Sequence, residues 1–313
     1  MNSTTHSFFR CGGYQTEASV HTRALRVLAV EIGKHLGPAA EVEIIANVTE
    51  QGRKAVDLFE MVAGGELDLC YFSSSYVDAR QAPTLAALDL PFLITDRDRV
   101  FAKLDGALGE RIASELTAAS PYRLLGFWDN GIRHLSNRLH PIRVPSDCAG
   151  LRLRTTANAL HQEIFASIGF VPVAVDPKDL PEAVASHLVD AQENPLTNLV
   201  QFGLYRTHRH VSLTAHFFGF TVVLANGEWY ASLPEPVRGA LQTAVRAATA
   251  AQRRLAVEED TRCLKLLEED GVTIVPFAAI DRTAFKACLA GILARETALI
   301  GKGVVAELQA DAD

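Results

Sequence analysis

Three kinds of side chain in this chain could act on another molecule: an arginine ending a strand-like segment, two closely spaced histidines, and a run of serines. The segment Leu151-Arg-Leu-Arg154 closes on a guanidinium. A guanidinium offers a planar two-donor fork that matches a carboxylate, where a lysine offers a point charge. The competing role for a lone strand arginine is a surface ion pair. His208-Arg-His210 places two imidazoles on one side of an extended segment, a possible start for a metal site, but no third ligand lies nearby in the sequence. Ser73-Ser-Ser75 has no G-x-S-x-G elbow and no histidine tied to it by motif, so it reads as a serine-rich loop. Most of the 10 histidines read as surface or capping residues.

The elements that must position these groups follow an α/β rhythm. A strand is expected from His6 to Cys11, then a helix from about Ala18 to Leu36 with Leu25, Leu28, Ala29 and Ile32 on one face and Gly37-Pro38 as its stop. Glu41 to Ala46 reads as a second strand, Gln51 to Ala63 as a second helix, and Leu67 to Phe72 as a third strand. This βαβαβ order implies a mainly parallel sheet covered by helices, with ligands beyond the carboxyl ends of the strands. Tyr14 and Ser73, just after the first and third strands, are therefore placed to face a ligand.

A further strand, Arg123 to Trp128, precedes a loop from Asp129 to Arg133, and the pattern then restarts: strand Leu151 to Thr155, helix Asn158 to Ile168, strand Val171 to Val175. A helix near Leu180 to Leu188, a short strand at Val189 to Ala191 and a strand from Phe220 to Ala225 follow. Pro234 to Glu269 has no proline after Pro236, a single Gly239 and a Gly271 stop, so it reads as one helix roughly 50 Å long, lying across two lobes. The expected division is residues 1–130 plus about 220–258 for lobe I, and 131–219 plus about 259–313 for lobe II. The fold class is thus α/β, two-lobed, each lobe a mainly parallel sheet flanked by helices.

Whole-chain properties exclude several function classes. With 313 residues, 48% hydrophobic and 21% charged, the chain is an ordinary globular one rather than disordered or fibrous. A net charge of −7 without a run of Lys or Arg lacks the footprint of a nucleic-acid binder. No apolar stretch is long enough for a membrane span. The opening residues to Arg10 show no basic segment followed by an apolar run, so either a secretory signal has been removed or the protein stays inside the cell. The five cysteines, Cys11, Cys70, Cys148, Cys263 and Cys288, match neither a zinc pattern nor a disulfide framework and read as small buried hydrophobes.

Three segments carry a more specific signal: Phe127-Trp-Asp-Asn-Gly-Ile-Arg133, Pro141-Ile-Arg-Val-Pro-Ser-Asp-Cys-Ala-Gly-Leu-Arg-Leu-Arg154 and Val189-Asp-Ala-Gln-Glu-Asn-Pro195. With Gly65-Glu-Leu-Asp68, Leu90-Pro-Phe92, Leu213-Thr-Ala-His216 and the long helix in the same order, nearly the whole chain resembles the DctP-type solute-binding subunits of TRAP (tripartite ATP-independent periplasmic) transporters. The resemblance implies that Arg154, ending the "G-L-K-I-R" strand of that family, pairs with a substrate carboxylate. Arg133 matches a second arginine that some relatives direct at the ligand, its other role being an ion pair at the rim or between lobes. Asn194 matches the asparagine of the "Q-E-N-P" motif, or else serves as a turn former before Pro195. Phe217 and Phe218 sit where relatives present an aromatic wall, although such a pair is also common core material.

Two departures bear on the ligand. Asp176-Pro-Lys-Asp179 replaces an aromatic followed by Ser-Glu, which removes a standard stacking contact, and Ser73 replaces an acidic residue of sialic-acid-binding relatives. The implied function is capture of a small organic acid by hinge closure and its delivery to TRAP membrane subunits. The protein would work in the periplasm as a monomer, without cofactor, metal or catalytic step. A ligand sensor on the same fold is the alternative, and a carboxylate-processing enzyme a third.

Overall fold

A computed structural model describes residues 7–309. The start of the first expected strand, His6, and the residues before it, on which the signal-segment reading falls, lie outside the described residues. Nine strands are present among the described residues: β1 (Ser7–Gly12), β2 (Ala40–Ile45), β3 (Leu69–Ser73), β4 (Tyr122–Asn137), β5 (Arg152–Thr155), β6 (Val171–Ala174), β7 (Ala191–Pro195), β8 (His210–Asn226) and β9 (Thr273–Val275). The chain divides into two compact units. Unit 1 comprises Met1–Pro83, Phe101–Asp129 and Phe220–Val257; unit 2 comprises Thr84–Val100, Asn130–Gly219 and Glu258–Asp313. Strands β4 and β8 and the 35-residue helix Glu235–Glu269 each contribute residues to both.

In unit 1, β1 pairs in parallel with β2 and β3, and β3 runs antiparallel to Thr221–Ala225 of β8. The helix Val20–Leu36 begins where the Ser19 hydroxyl accepts the Thr22 N–H at 3.0 Å, and ends at Gly37, whose φ of 81° suits only glycine well. Its apolar face, Leu25, Leu28 and Ile32, is buried with Phe9, Trp128, Val223, Leu241 and Ala248. Truncating one such leucine to alanine typically costs about 2–5 kcal/mol.

In unit 2, β5 pairs in parallel with β6 and β7, β7 runs antiparallel to Arg133–Asn137 of β4, and β8 pairs in parallel with β9. The helix Ala159–Ile168 is capped by Asn158, whose side chain accepts the His161 N–H at 3.1 Å, and it stops at Gly169 with φ 113°. Ile164, Phe165 and Ile168 on its inner face join Leu135, Ile142, Leu153, Val275 and Phe285 in the core. The strand pairing within each unit is thus of mixed direction, with parallel βαβ pairs in both.

Several elements depart from their expected form. Asp129 to Arg133 is not a loop but the middle of β4. The Gln252 side chain accepts the Asp129 N–H at 2.8 Å and donates to the Asp129 carbonyl at 2.7 Å, which satisfies the backbone there, and Gly131 absorbs the local kink with φ 83°. Strand β8 starts at His210 rather than Phe220. The expected helix from Gln51 becomes a single turn, Val48–Gln51, and a helix Asp57–Ala63, because Gly52 is left-handed at φ 80° between them. The helix from Leu180 ends at Ala185, and the strand expected at Val189 is β7, Ala191–Pro195. Cys288 is exposed, so only four of the five cysteines are buried. The helices Arg97–Leu104, Ala107–Ala119 and Ala290–Ile300 have no counterpart in the sequence reading.

Candidate anion-binding site

Strand β5 carries two arginines with different surroundings. Arg152 keeps much of its side chain in solvent and grips Asp190 with two bonds, Nε to Oδ2 at 2.8 Å and Nη2 to Oδ1 at 2.9 Å, while Arg138 reaches the same carboxylate at 2.6 Å. Arg154 is 2% exposed. Its Nε and Nη2 both donate to the Val175 carbonyl, at 3.0 and 2.8 Å. A carbonyl accepts hydrogen bonds but carries no net charge, so these contacts aim the guanidinium without neutralising it. The β5–β7 register sets Arg154 opposite Gln192, whose Oε1 accepts from Asn194 Nδ2 at 2.6 Å.

Arg133 and Asn194 come together in the same unit. Arg133 Nε donates to Glu193 Oε2 at 2.5 Å, and Nη2 donates to Glu193 Oε1 at 2.7 Å, to the Glu193 carbonyl at 2.9 Å and to Asn194 Oδ1 at 3.2 Å. The β4–β7 ladder makes this possible by pairing Arg133 with Pro195 and His134 with Asn194. Asn194 Oδ1 also accepts from Asn198 Nδ2 at 3.1 Å, so its amide orientation is fixed from three sides.

Glu193 is fully buried, and its electrostatics decide the character of the cluster. Burial acts to raise its pKa, but the Arg133 charge and the His216 ring, 3.5 Å away, outweigh that and hold the carboxyl well below its ordinary range. His216 itself is lowered, chiefly by burial. Two left-handed non-glycine residues bracket it: Ala215 at φ 44°, whose N–H donates to His134 Nδ1 at 3.1 Å, and Phe92 at φ 60°, whose N–H donates to the His216 carbonyl at 2.7 Å. Backbone held in this region costs energy and persists only where surroundings over-determine it.

The aromatic pair separates. Phe217 stacks face to face on His161, centroids 4.6 Å apart and planes 17° from parallel, and meets Phe165 and His216 edge-on inside the core. Phe218 lies under the Arg97 guanidinium at 5.6 Å. In unit 1, the Tyr14 ring packs against Phe72 at 4.8 Å and Tyr71 at 5.4 Å, and Ser73, at the end of β3, shares a 3.0 Å hydrogen bond with Ser75. The structure thus gathers Arg133 and Asn194 around Glu193, with Arg154 on a neighbouring strand, and places Tyr14 and Ser73 at adjacent strand ends in the other unit.

The sequence reading missed Glu193, Asp89, His161 and His216. A signal existed for Glu193 alone: an acidic residue between Gln192 and Asn194, in a strand that is otherwise buried. His208, weighed as half of a metal pair, is buried with Nδ1 3.2 Å from the Ser136 hydroxyl. Among the described residues no group of three or more His, Cys, Asp or Glu is placed to hold a metal.

The described residues form two α/β units. Residues 12–298 match the model of the bacterial extracellular solute-binding proteins, family 7, and the chain belongs to that family. A solute-binding protein of Verminephrobacter eiseniae is 27% identical over 286 residues, covering 91% of this chain and 84% of that one. A TRAP periplasmic solute-binding protein of a Polaromonas species, solved with D-erythronate, superposes with a TM-score of 0.90 at 24% identity, covering 97% and 98% of the two chains. The sugar acid binding protein of Advenella mimigardefordensis, solved with galactonate, gives a TM-score of 0.89 at 24% identity with 96% coverage of each. At those identities the two structures establish the shared fold.

Proposed function

We propose that this chain captures a small organic acid in the periplasm and delivers it to the membrane subunits of a TRAP transporter, with Arg154 holding the carboxylate. One observation carries the reading: a guanidinium buried at 2% exposure and aimed by a carbonyl, Val175 O, on a strand whose neighbour presents an oriented amide, Asn194. A ligand carboxylate matches the two-donor fork geometry of this guanidinium. The ligands named for the two solved relatives, D-erythronate and galactonate, are both hydroxylated carboxylates, which places sugar acids first among the candidates. Arg133 acts with Asn194, its charge set by Glu193, and Phe217, Phe218, Tyr14 and Ser73 are the further ligand-facing positions. Capture proceeds by the closure that the family resemblance implies. The protein acts as a monomer, and no chemical step is part of this function.

A thermal-shift screen of sugar acids, C4-dicarboxylates, 2-oxo acids and aromatic acids tests the proposal. A ligand at about 100 times its Kd adds about 2.7 kcal/mol to stability, which moves Tm by a few degrees. A flat response to every acid counts against the whole reading.

A further inference from the structure

Behind Phe217 lies a second pair of titratable groups that the proposed binding scheme does not use. His161, on the helix Ala159–Ile168, is 4% exposed, and its Nε2 is enclosed without a hydrogen-bond partner. That nitrogen points at Asp89, with Oδ1 3.9 Å away, while Nδ1 stands 3.5 Å from the hydroxyl of Thr156, two residues beyond Arg154. One face of the ring stacks on Phe217 at 4.6 Å. Asp89 closes the turn Ala87–Asp89, just before the strained Phe92 that holds the His216 carbonyl.

The charged and titratable groups around the pair come from three strands: Arg133 and His134 on β4, Glu193 on β7 and His216 on β8, with Arg282 over the Phe92 ring at 5.3 Å. Arg133 and Glu193 hold each other as a closed pair, so their charges nearly cancel at Asp89. Burial then dominates. It pushes the Asp89 carboxyl up to about 7, with Glu193 adding to the rise and Arg133 opposing it, and it pulls His161 down to about 4. A buried nitrogen facing a half-buried carboxyl at 3.9 Å accommodates one proton between them: Asp–COOH facing neutral imidazole, or carboxylate facing imidazolium.

We propose that Asp89 and His161 together hold a single proton, and that binding of an organic anion in this unit draws that proton in. The inference builds on the carboxylate-binding reading. An ionised Asp89 adds a negative charge beside Arg133, which opposes an incoming carboxylate; a protonated Asp89 does not. By linkage, the anion must then raise proton affinity by the factor by which the proton raises anion affinity. Asp89 and His161 are positioning residues here, acting through Thr156 and Arg133 rather than by touching the ligand.

Imidazole NMR of the unliganded full chain supplies the first test: His161 should report one transition near neutral pH that vanishes in Asp89→Asn. Calorimetry with D-galactonate, D-erythronate and succinate in buffers of differing ionisation enthalpy supplies the second. The wild type should take up a proton on binding and bind at least about fivefold more weakly at about pH 8.5 than at about pH 6, whereas Asp89→Asn should show neither effect. No neutral-range transition in the unliganded protein, or acids that bind with the same affinity at both pH values, overturns the shared proton. Failure of all three acids to bind at either pH strikes instead at the carboxylate reading.

Discussion

Arg133 and Glu193, on the adjacent antiparallel strands β4 and β7, close a two-bond ion pair inside unit 2, with Nε on Oε2 at 2.5 Å and Nη2 on Oε1 at 2.7 Å. The same Nη2 reaches Asn194, so the amide that faces a ligand in the proposed scheme is held by a guanidinium whose charge is already balanced. In the proposed scheme Arg154, rather than Arg133, is the primary carboxylate clamp.

Removing one member of that pair strands the other as a buried charge, which typically costs about 3–5 kcal/mol. Glu193→Gln is therefore expected to unfold at markedly lower urea concentration than the wild type. Replacing both residues with apolar ones of similar volume should recover most of the loss. Equal destabilisation by the single and double variants would show that the pair is not the unit that matters.

Gln252 supports β4 from the long helix by satisfying both the N–H and the carbonyl of Asp129. Gln252→Leu keeps the volume but leaves two buried backbone groups unsatisfied, each worth about 1–3 kcal/mol. Chemical denaturation should register a loss of about 2–6 kcal/mol for the two groups together, and hydrogen exchange at the Asp129 amide should quicken. An unchanged exchange rate at that amide would contradict the assigned role.

The pH dependence of stability follows from the buried groups, with opposite signs. Burial lowers His21 and His134 to about 3 and His161 to about 4, so their folded-state pKa values lie below the ordinary 6.5. Such groups add stability that is present above about 6.5 and is lost as pH falls toward 4 and below. Asp89 is raised to about 7, so its contribution is complete below the ordinary 3.8 and is lost as pH rises toward 7. Melting curves should therefore fall off on the acid side, and Asp89→Asn should raise Tm most above neutrality. A gain from Asp89→Asn that is the same at every pH would contradict this.

How much of this was legible in the sequence differs from element to element. The helix Val20–Leu36 was readable because its apolar spacing and Gly37 stop are local, and the long helix because its proline lies in the first turn and Gly239 is the single glycine within it. The strand character of Asp129-Asn-Gly131 was not, since the side chain that satisfies Asp129 lies 123 residues away. Arg133 was reached through the family resemblance and Glu193 stood in the motif around Asn194, but their pairing across 60 residues is a tertiary fact. His161 was missed for the same reason: its stacking on Phe217 and its approach to Asp89 are tertiary facts that no local spacing encodes.

The central claim is that Arg154 binds the ligand's carboxylate, and calorimetry of Arg154→Ala and Arg154→Lys, with an acid that raises the wild-type Tm, tests it most directly. Loss of a buried, hydrogen-bonded charge partner corresponds to about 2–5 kcal/mol, so affinity should fall roughly 30-fold to several thousandfold, and lysine should not restore it. Either variant binding that acid within about threefold of the wild type, a difference under about 0.7 kcal/mol, would contradict the account.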